Sequence, residues 1–227
     1  MSAYGRKPIL GLSIEEQYVN SLFAESLKRT SESAWPEWSL DEIAGRLAEI
    51  SGSGATAALT FAFSLVVEAQ QQGGPVGWVT SCGSCFYPPD AARRGADLNA
   101  LVVVRLPDAR VIPRAGEKLL RSGAFALVVL DIGAGDISMA LQARLAALAR
   151  EHHAALVCLT EKEERDFSLG SLISLRVHAR RRRISEGELK CELKVLKDKR
   201  RGPTWSQAEV CRGPLDGELS VEPAGLC

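Results

Sequence analysis

Short apolar runs alternate with helical patterns through the middle of the chain, and this alternation constrains the fold most. The runs "NALVVVRLP" and "FALVVLDIG" are continuous and bounded by polar turns, which predicts strands buried on both faces of a parallel sheet. Three further strands are predicted from "GRLAEIS", "PVGWVTS" and "AALVCLT", and helices from "SLDEI", "AALTFAFSLVVEAQQQ", "IPRAGEKLLRSGA" and "SMALQARLAALAREHH". The sequence therefore predicts an α/β fold in which helices sandwich a mainly parallel sheet.

The C-terminal third of the chain has a different pattern. The segments "SLISLRVHARRRR", "ELKCELKVLKDK" and "SQAEVCRG" alternate with polar residues and are separated by turns, so we expect them to extend the sheet with an antiparallel edge. The 227 residues are predicted to divide into an N-terminal helix and linker (1–38), one core domain (39–212) and an irregular tail (213–227).

The N-terminal segment carries a capping box, Ser13 with Glu16, followed by Tyr18, Leu22 and Phe23 on one helical face. These apolar side chains are predicted either to cover the core or to contact a partner. No leader pattern precedes the helix, and the longest apolar stretch is too short to span a bilayer. We therefore expect a cytoplasmic protein with no membrane contact.

The formal net charge is zero and 46% of the residues are hydrophobic, so these totals alone imply neither a disordered chain nor a strongly charged partner. The six cysteines lack a framework spacing and are interpreted as free thiols, with Cys158 packed in an apolar run. The pair in "CGSC" would suit a redox pair or half a zinc site, but a zinc site needs about four ligands. Two incidental cysteines and no metal site are predicted.

A glycine-containing segment, "GSGATAAL", lies between a predicted strand and a predicted helix, where a phosphate-binding loop would lie. Backbone N–H groups at the helix N-terminus would suit an anion. The lysine and the magnesium-binding Ser/Thr of the motif are replaced by Ala58 and Leu59. The residues of this degenerate nucleotide site are Gly52, Gly54, Thr56, Ala58, Thr60 and, further along, Asp131.

Several segments taken together resemble a known family. In order, "EISGSGATAALTFAFSLVVEAQQQGGPVGWV", "LVVVRLPDA", "LLRSGAFALVVLDIGA", "SLRVHARRRR" and "LKVLKDKRRGPTWSQAEV" are similar to the ATPase core of the bacterial RecA recombinases, from about Ser39 to Val210. They resemble more closely the ImuA family, truncated RecA-like proteins of a mutagenesis cassette that also encodes an inactive Y-family polymerase homologue. The resemblance implies a RecA-like P-loop NTPase fold and a part in DNA-damage-induced mutagenesis.

The resemblance also implies which catalytic groups should be present. Asp131 corresponds to the magnesium-associated acidic residue of the family, although it would equally suit an Asp that caps the next turn. The water-activating glutamate should follow "GWV", where "TSCGSC" has no carboxylate. Loss of the lysine should cost several kcal/mol of transition-state binding. We therefore expect no catalytic residue, no enzymatic activity, no required cofactor and little residual binding of ATP and Mg²⁺.

A basic cluster distinguishes the C-terminal third. Between Arg176 and Arg201 there are eleven Lys/Arg and four Asp/Glu. By resemblance, Lys197 and Lys199 correspond to lysines that reach a neighbour's nucleotide in RecA filaments. The cluster is predicted to contact a partner or to bind DNA weakly and non-specifically, and a solvated surface is the alternative. Its members are Arg180, Arg181, Arg182, Arg183, Lys197, Lys199, Arg200 and Arg201.

The leading hypothesis for function is a non-catalytic RecA-like regulator of translesion synthesis. It would contact RecA, and the polymerase homologue of the cassette is a second expected partner. The acidic loop "LTEKEERDFSLGS" should repel phosphate, which argues against filament-type DNA binding. Two alternatives stay open: an accessory ATPase with a remodelled site, and a cell-division inhibitor of the SulA type.

Overall fold

The strand-like runs all form strands of one eight-stranded sheet in the part of the chain that the computed structural model describes, residues 37–54, 56–84, 86–203 and 205–212. The strands are β1 (Leu47–Ser51), β2 (Val76–Ser81), β3 (Leu101–Leu106), β4 (Leu127–Gly133), β5 (Ala155–Thr160), β6 (Leu175–Ser185), β7 (Glu188–Asp198) and β8 (Ser206–Arg212). Their order across the sheet is β3-β2-β4-β5-β1-β6-β7-β8.

Strand direction divides the sheet into two regions. Strands β1 to β6 pair in parallel, whereas β7 pairs antiparallel with both β6 and β8. We call β1 to β5 the parallel half and β6 to β8 the antiparallel extension. The predicted mainly parallel α/β sheet with an antiparallel C-terminal edge is confirmed.

Helices alternate with strands β1 to β5 along the chain, as the sequence pattern predicts. They are α1 (Leu40–Ile43), α2 (Ala58–Gln71), α3 (Pro88–Arg93), α4 (Ile112–Arg121) and α5 (Met139–Glu151), with single 3₁₀ turns at Leu98–Ala100 and Ala109–Val111. Helix α1 begins where "SLDEI" indicates, because the Ser39 side chain accepts a hydrogen bond from the Glu42 backbone N–H at 3.4 Å. Helix α3 and the 3₁₀ turns are too short for an apolar period and were not predicted.

Two hydrophobic layers cover the two faces of the sheet. On one face α1, α2 and α3 pack on the strands, with the fully buried Phe63 and Trp78 rings 5.2 Å apart between centroids. On the other face α4 and α5 contribute the buried Leu120 and Leu145. Each such side chain contributes about 1.5–3 kcal/mol by burial, so the core lies on both faces of the parallel half.

Strand β3 corrects one expectation. "NALVVVRLP" was predicted to be buried on both faces, but β3 is an outer strand of the sheet and Val102 is 48% exposed. An edge strand has a neighbour on one side only, and helices cover it less completely. In contrast, β4 lies between β2 and β5, and its first four residues are buried.

Several predictions concern residues outside the described part. The N-terminal helix with Tyr18, Leu22 and Phe23, the tail 213–227, and the cysteines Cys85 and Cys227 all lie outside it. The proposed domain boundaries stay predictions. Among the described residues, no helix combines the length and the apolar character needed to cross a membrane.

Candidate functional site

The loop from Gly52 to Ala57 joins β1 to α2 at the carboxyl end of the parallel strands. The Gly52 N–H donates to the Thr160 carbonyl at 3.1 Å. A Cβ on Gly52 would lie 2.1 Å from the Thr56 hydroxyl oxygen, so only glycine fits there. Gly54 has φ +58°, which also favours glycine. The two glycines therefore shape a tight turn onto the helix.

Thr56 bonds to the first turn of the helix that follows it. Its hydroxyl donates to the Ala179 carbonyl at 3.0 Å and accepts the Ala58 N–H at 3.1 Å. An oxygen of the protein therefore takes one of the N–H groups that an anion would use at a helix N-terminus. Ala58 is buried, and Leu59 packs against the core beside it. Thr60 is half-buried.

Asp131 lies near the end of β4 at the same edge of the sheet. Its carboxylate accepts a hydrogen bond from the Thr80 hydroxyl at 2.9 Å, and the Thr80 hydroxyl also contacts Ser84. Carboxylate oxygens are the ligands that Mg²⁺ prefers, so Asp131 is the described residue that would hold this metal. Cys82, just after β2, is exposed.

The acidic loop between β5 and β6 contacts the glycine-containing loop. The Ser53 hydroxyl donates to the Glu163 carboxylate. This carboxylate places a negative charge beside the surface that a phosphate would approach, and like charges repel.

A buried glutamate, Glu49 in β1, holds the acidic loop in place. Glu49 is completely buried and accepts hydrogen bonds from Thr160 Oγ1 at 3.0 Å, Ser168 Oγ at 2.7 Å and the Leu169 N–H at 3.0 Å. Arg176 Nε lies 3.9 Å from its carboxylate, and the Arg176 guanidinium also donates to the Glu163 carbonyl at 3.0 Å. The sequence analysis missed this pair, although a charged residue inside the apolar run "LAEIS" was a signal.

The four consecutive arginines of β6 lie on opposite faces of the sheet, because side chains alternate along a strand. All four are exposed, but Arg180 and Arg182 pair in register with Glu192 and Lys190 on one face, whereas Arg181 pairs with the buried Cys191 on the other. The predicted basic cluster is therefore not one surface.

A groove lies on the solvent face of the antiparallel extension and has a volume of about 460 Å³. Its lining includes His178, Arg180, Lys190, Glu192 and Lys194 on one side and Trp205 to Ala208 on the other. Burial and the nearby Arg180 lower the pKa of His178. We call this feature the basic groove.

Glu164 of the acidic loop reaches the basic groove. It forms ion pairs with Arg180 and Lys194. The Lys194 hydrogen bond, together with the charges of Lys194 and Arg180, lowers the pKa of Glu164 below its usual value despite opposing desolvation. The acidic loop and the basic cluster were treated separately in the sequence analysis, but they are in contact.

Lys197 and Lys199 bond to carbonyls of their own chain. Lys197 Nζ donates to the Gly170 carbonyl at 3.2 Å, and Lys199 Nζ donates to the Ser171 carbonyl. Burial and the charge of Lys199 lower the pKa of Lys197. The two lysines therefore hold the end of the acidic loop.

Arg200 and Arg201 both contact α1. Arg200 donates to the Glu42 carbonyl at 3.3 Å, and Arg201 lies 3.1 Å from the Glu42 carboxylate. Between Lys197 and these arginines, the buried Asp198 pairs with Arg46 at 2.6 Å. The sequence analysis did not predict this ion pair, because 152 residues separate Arg46 from Asp198.

The acidic loop also carries an exposed aromatic residue that the sequence analysis did not single out. Phe167 is 93% exposed, and the Lys162 ammonium donates to its carbonyl at 3.1 Å. A Phe that directly follows the charged run Glu164 to Asp166 was the available signal. Apolar rings at the surface are frequent anchors of protein contacts.

The fold and these contacts define an α/β protein with a glycine-containing strand-to-helix loop, an acidic residue at the end of β4 and a basic antiparallel extension. No family model matches the chain. It is 34% identical over 117 residues to "Protein RecA" of Chlorobium chlorochromatii, and 33% identical over 117 residues to that of Chlorobium limicola. Both matches cover 46% of this chain and 33% of the relative. A RecA of Clostridium botulinum is 30% identical over 128 residues.

The matched region is thus RecA-like, and the eight-stranded sheet fits this homology. The chain spans about a third of the length of the curated relatives that it matches. The activity and partners of those relatives enter only as proposals.

Proposed function

We propose that this chain is a non-catalytic RecA-like regulator of translesion synthesis, of the ImuA kind, which acts by protein contacts that restrain RecA. The observation that carries the proposal is the bond from the Ala58 N–H to Thr56 Oγ1 in a loop without the motif lysine. Phosphate binding would have to break this bond without a lysine to compensate. The function requires no nucleotide.

The charge around the loop supports the same proposal. Glu163 bonds to Ser53 at the loop, and Asp131 is bonded to Thr80. The carboxylate of Glu163 would repel a triphosphate, and a magnesium ion at Asp131 would compete with the Thr80 hydrogen bond. ATP binding by this chain is therefore expected to be weak.

We propose two contact elements for RecA: the basic groove, and the exposed Phe167 of the acidic loop, whose Glu164 pairs with Arg180 and Lys194 of the groove. The groove is open and contains Arg180 and Lys194, and Phe167 is the most exposed of the large apolar side chains in the described ranges. In a protein interface, charged residues give orientation and association rate, while an aromatic anchor supplies binding energy. The polymerase homologue is the second proposed partner.

The first test is the single-strand-stimulated ATPase rate of RecA while the chain is titrated in, with each protein alone as baseline. A dose-dependent fall, without turnover by the chain itself, is the expected result. ATP turnover by the chain that is lost in Asp131→Ala would instead favour the accessory ATPase. An unchanged RecA rate, with binding to the tubulin-like division protein, would favour the SulA-type inhibitor.

A matched pair of variants tests the surface. Arg180→Ala/Arg182→Ala and Arg181→Ala/Arg183→Ala each remove two positive charges from β6, but from opposite faces. The first pair should raise the concentration needed for inhibition at least about tenfold, equivalent to about 1.4 kcal/mol, and the second pair should change it much less. Equal effects would indicate net charge rather than the basic groove.

A further inference from the structure

Two thiols and a carboxylate converge at the pairing of β7 and β8. Cys191 Sγ lies 3.3 Å from Cys211 Sγ, and Cys211 Sγ lies 3.4 Å from Glu209 Oε1. The three ligand atoms all lie within 4.8 Å of one another. We call Cys191, Glu209 and Cys211 the thiol–carboxylate cluster. The sequence analysis predicted no metal site, because strand pairing rather than sequence spacing brings these residues together.

The strand register does not suit a disulfide between the two thiols. Cys191 pairs directly with Glu209, and Cys211 pairs with Leu189, so the two cysteines are diagonal neighbours. Diagonal positions have Cα atoms about 7–8 Å apart, beyond the roughly 4.4–6.8 Å that a disulfide usually spans.

A bridging metal ion suits the same register. A tetrahedral zinc ion with Zn–S bonds of about 2.3 Å holds two sulfurs about 3.8 Å apart. The present separation of 3.3 Å would therefore need to widen only slightly. Glu209, two residues from Cys211 on the same face of β8, is placed to supply the third ligand.

Arg94 completes the charge balance of the cluster. Its guanidinium lies 2.8 Å from Glu209 Oε1 and 3.1 Å from Cys211 Sγ. Two thiolates and one carboxylate carry three negative charges, which a divalent cation and Arg94 together neutralise. A hydrogen bond from an outer group to a ligating carboxylate is a common feature of metal sites.

We propose that the thiol–carboxylate cluster is a binding site for a soft divalent cation of the zinc class. Thiolate sulfur favours such ions over magnesium or calcium. Cys191 is 1% exposed, whereas Cys211 and Glu209 are half-buried, so the ion enters from the Cys211 side and water occupies its fourth position. Binding links β7 to β8. Arg94, which follows α3, links the site to the end of that helix. The proposal is independent of the function proposed above.

Cobalt(II) titration of the full, reduced chain tests the proposal, because cobalt bound to thiolates absorbs by charge transfer. One equivalent should saturate this absorption, and zinc should displace the cobalt. Cys211→Ser should abolish the thiolate absorption or weaken affinity at least about tenfold, and Glu209→Gln should weaken affinity. Cys82→Ser/Cys85→Ser is the thiol control and should bind as the unmodified chain does.

Thermal unfolding gives a second readout that does not depend on cobalt absorption. Zinc should raise the melting temperature of the unmodified chain and not that of Cys211→Ser, since an ion that binds only the folded state stabilises that state. Cys211 is half-buried, so its serine variant is the one expected to fold, whereas Cys191→Ser adds a hydroxyl to the core. Absence of thiolate–cobalt absorption, or its survival in Cys211→Ser with loss in Cys82→Ser/Cys85→Ser, would overturn the proposal.

Discussion

The parallel half of the sheet and its antiparallel extension differ in how the polar groups at their candidate binding surfaces are bonded and exposed. In the parallel half, two residues of the predicted nucleotide site are bonded within the chain, Thr56 to Ala58 and Asp131 to Thr80. In the extension, Arg180 and Lys194 lie on a solvent face around an open groove. A buried polar group needs a local partner, whereas a surface charge is partly hydrated and adds little stability.

The comparison indicates at which surface a ligand would replace fewer internal hydrogen bonds. A ligand at the Gly52–Ala57 loop would have to replace internal hydrogen bonds, and the carboxylate of Glu163 lies beside the loop. A partner at the basic groove would exchange exposed ion pairs for its own. This difference is the physical reason for assigning the proposed contact with RecA to the extension.

The largest expected effect is at the ion pair that joins the two regions. Arg46, just before β1, and Asp198, at the end of β7, are buried and 2.6 Å apart. Arg46→Met leaves Asp198 as an unpaired buried charge and should cost about 3–5 kcal/mol of unfolding free energy. Urea unfolding measures it. The matched control is Arg201→Met, half exposed beside Glu42, which should cost less than about 1 kcal/mol; similar losses would contradict the distinction.

The next effect is in the parallel half. Gly52→Ala puts a Cβ 2.1 Å from Thr56 Oγ1 and should cost about 1–3 kcal/mol of stability. Thr56→Ala removes the obstructing oxygen together with its two hydrogen bonds, and alone should cost about 1–3 kcal/mol. The double variant should lose less than the sum of the two, and a urea-unfolding double-mutant cycle measures this coupling. Strict additivity of the two losses would mean that the Thr56 side chain is not what obstructs a side chain at position 52.

Acid should weaken the junction at Asp198. Burial opposes ionisation of this carboxyl, but hydrogen bonds from the Arg200 N–H and from Arg46 outweigh it and lower its pKa. A lowered folded-state pKa stabilises the protein above the unfolded value, about 3.9 for Asp, and this stability is lost as pH falls towards the folded pKa. The stability difference between the unmodified chain and Asp198→Asn, measured by urea unfolding, should therefore narrow below about pH 4. A constant difference would exclude this linkage.

The smallest stability effect is expected in the extension. Glu164→Gln removes the carboxylate that pairs with Arg180 and Lys194, and should change unfolding free energy by less than about 1 kcal/mol. The same change makes the basic groove more positive, so affinity for single-stranded DNA at low salt should rise and its salt dependence should steepen. Fluorescence anisotropy at several salt concentrations measures both. The control, Glu186→Gln in the β6–β7 turn, removes the same charge away from that ion pair.

Sequence patterns predicted most of the strands because the signal is local. "FALVVLDIG" forms β4 and "SLDEI" forms α1 with Ser39 as its cap. The error at β3 has a physical cause, since burial of a strand depends on its position in the sheet order and not on its own residues. The six-residue α3 begins with two prolines and is too short to show a helical period.

The candidate site was predicted in part. Motif spacing placed Ala58 at the start of α2 and Asp131 near the end of β4, as the structure has them. Glu49 was missed, because its partner Arg176 lies on another strand far along the chain. Cys191 and Cys211 were interpreted as unrelated thiols for the same reason.

By itself, the sequence determined the elements, their order along the chain and the residue types at the phosphate-loop positions, because helix and strand periods and motif spacings are properties of adjacent residues. Only the tertiary structure decided which charges are paired. Arg180 and Arg181 are neighbours in sequence, yet strand alternation separates them to opposite faces, and the strand order brings Arg46 to Asp198. Energies of charges and thiols depend on such distant partners and on burial, which no local pattern contains.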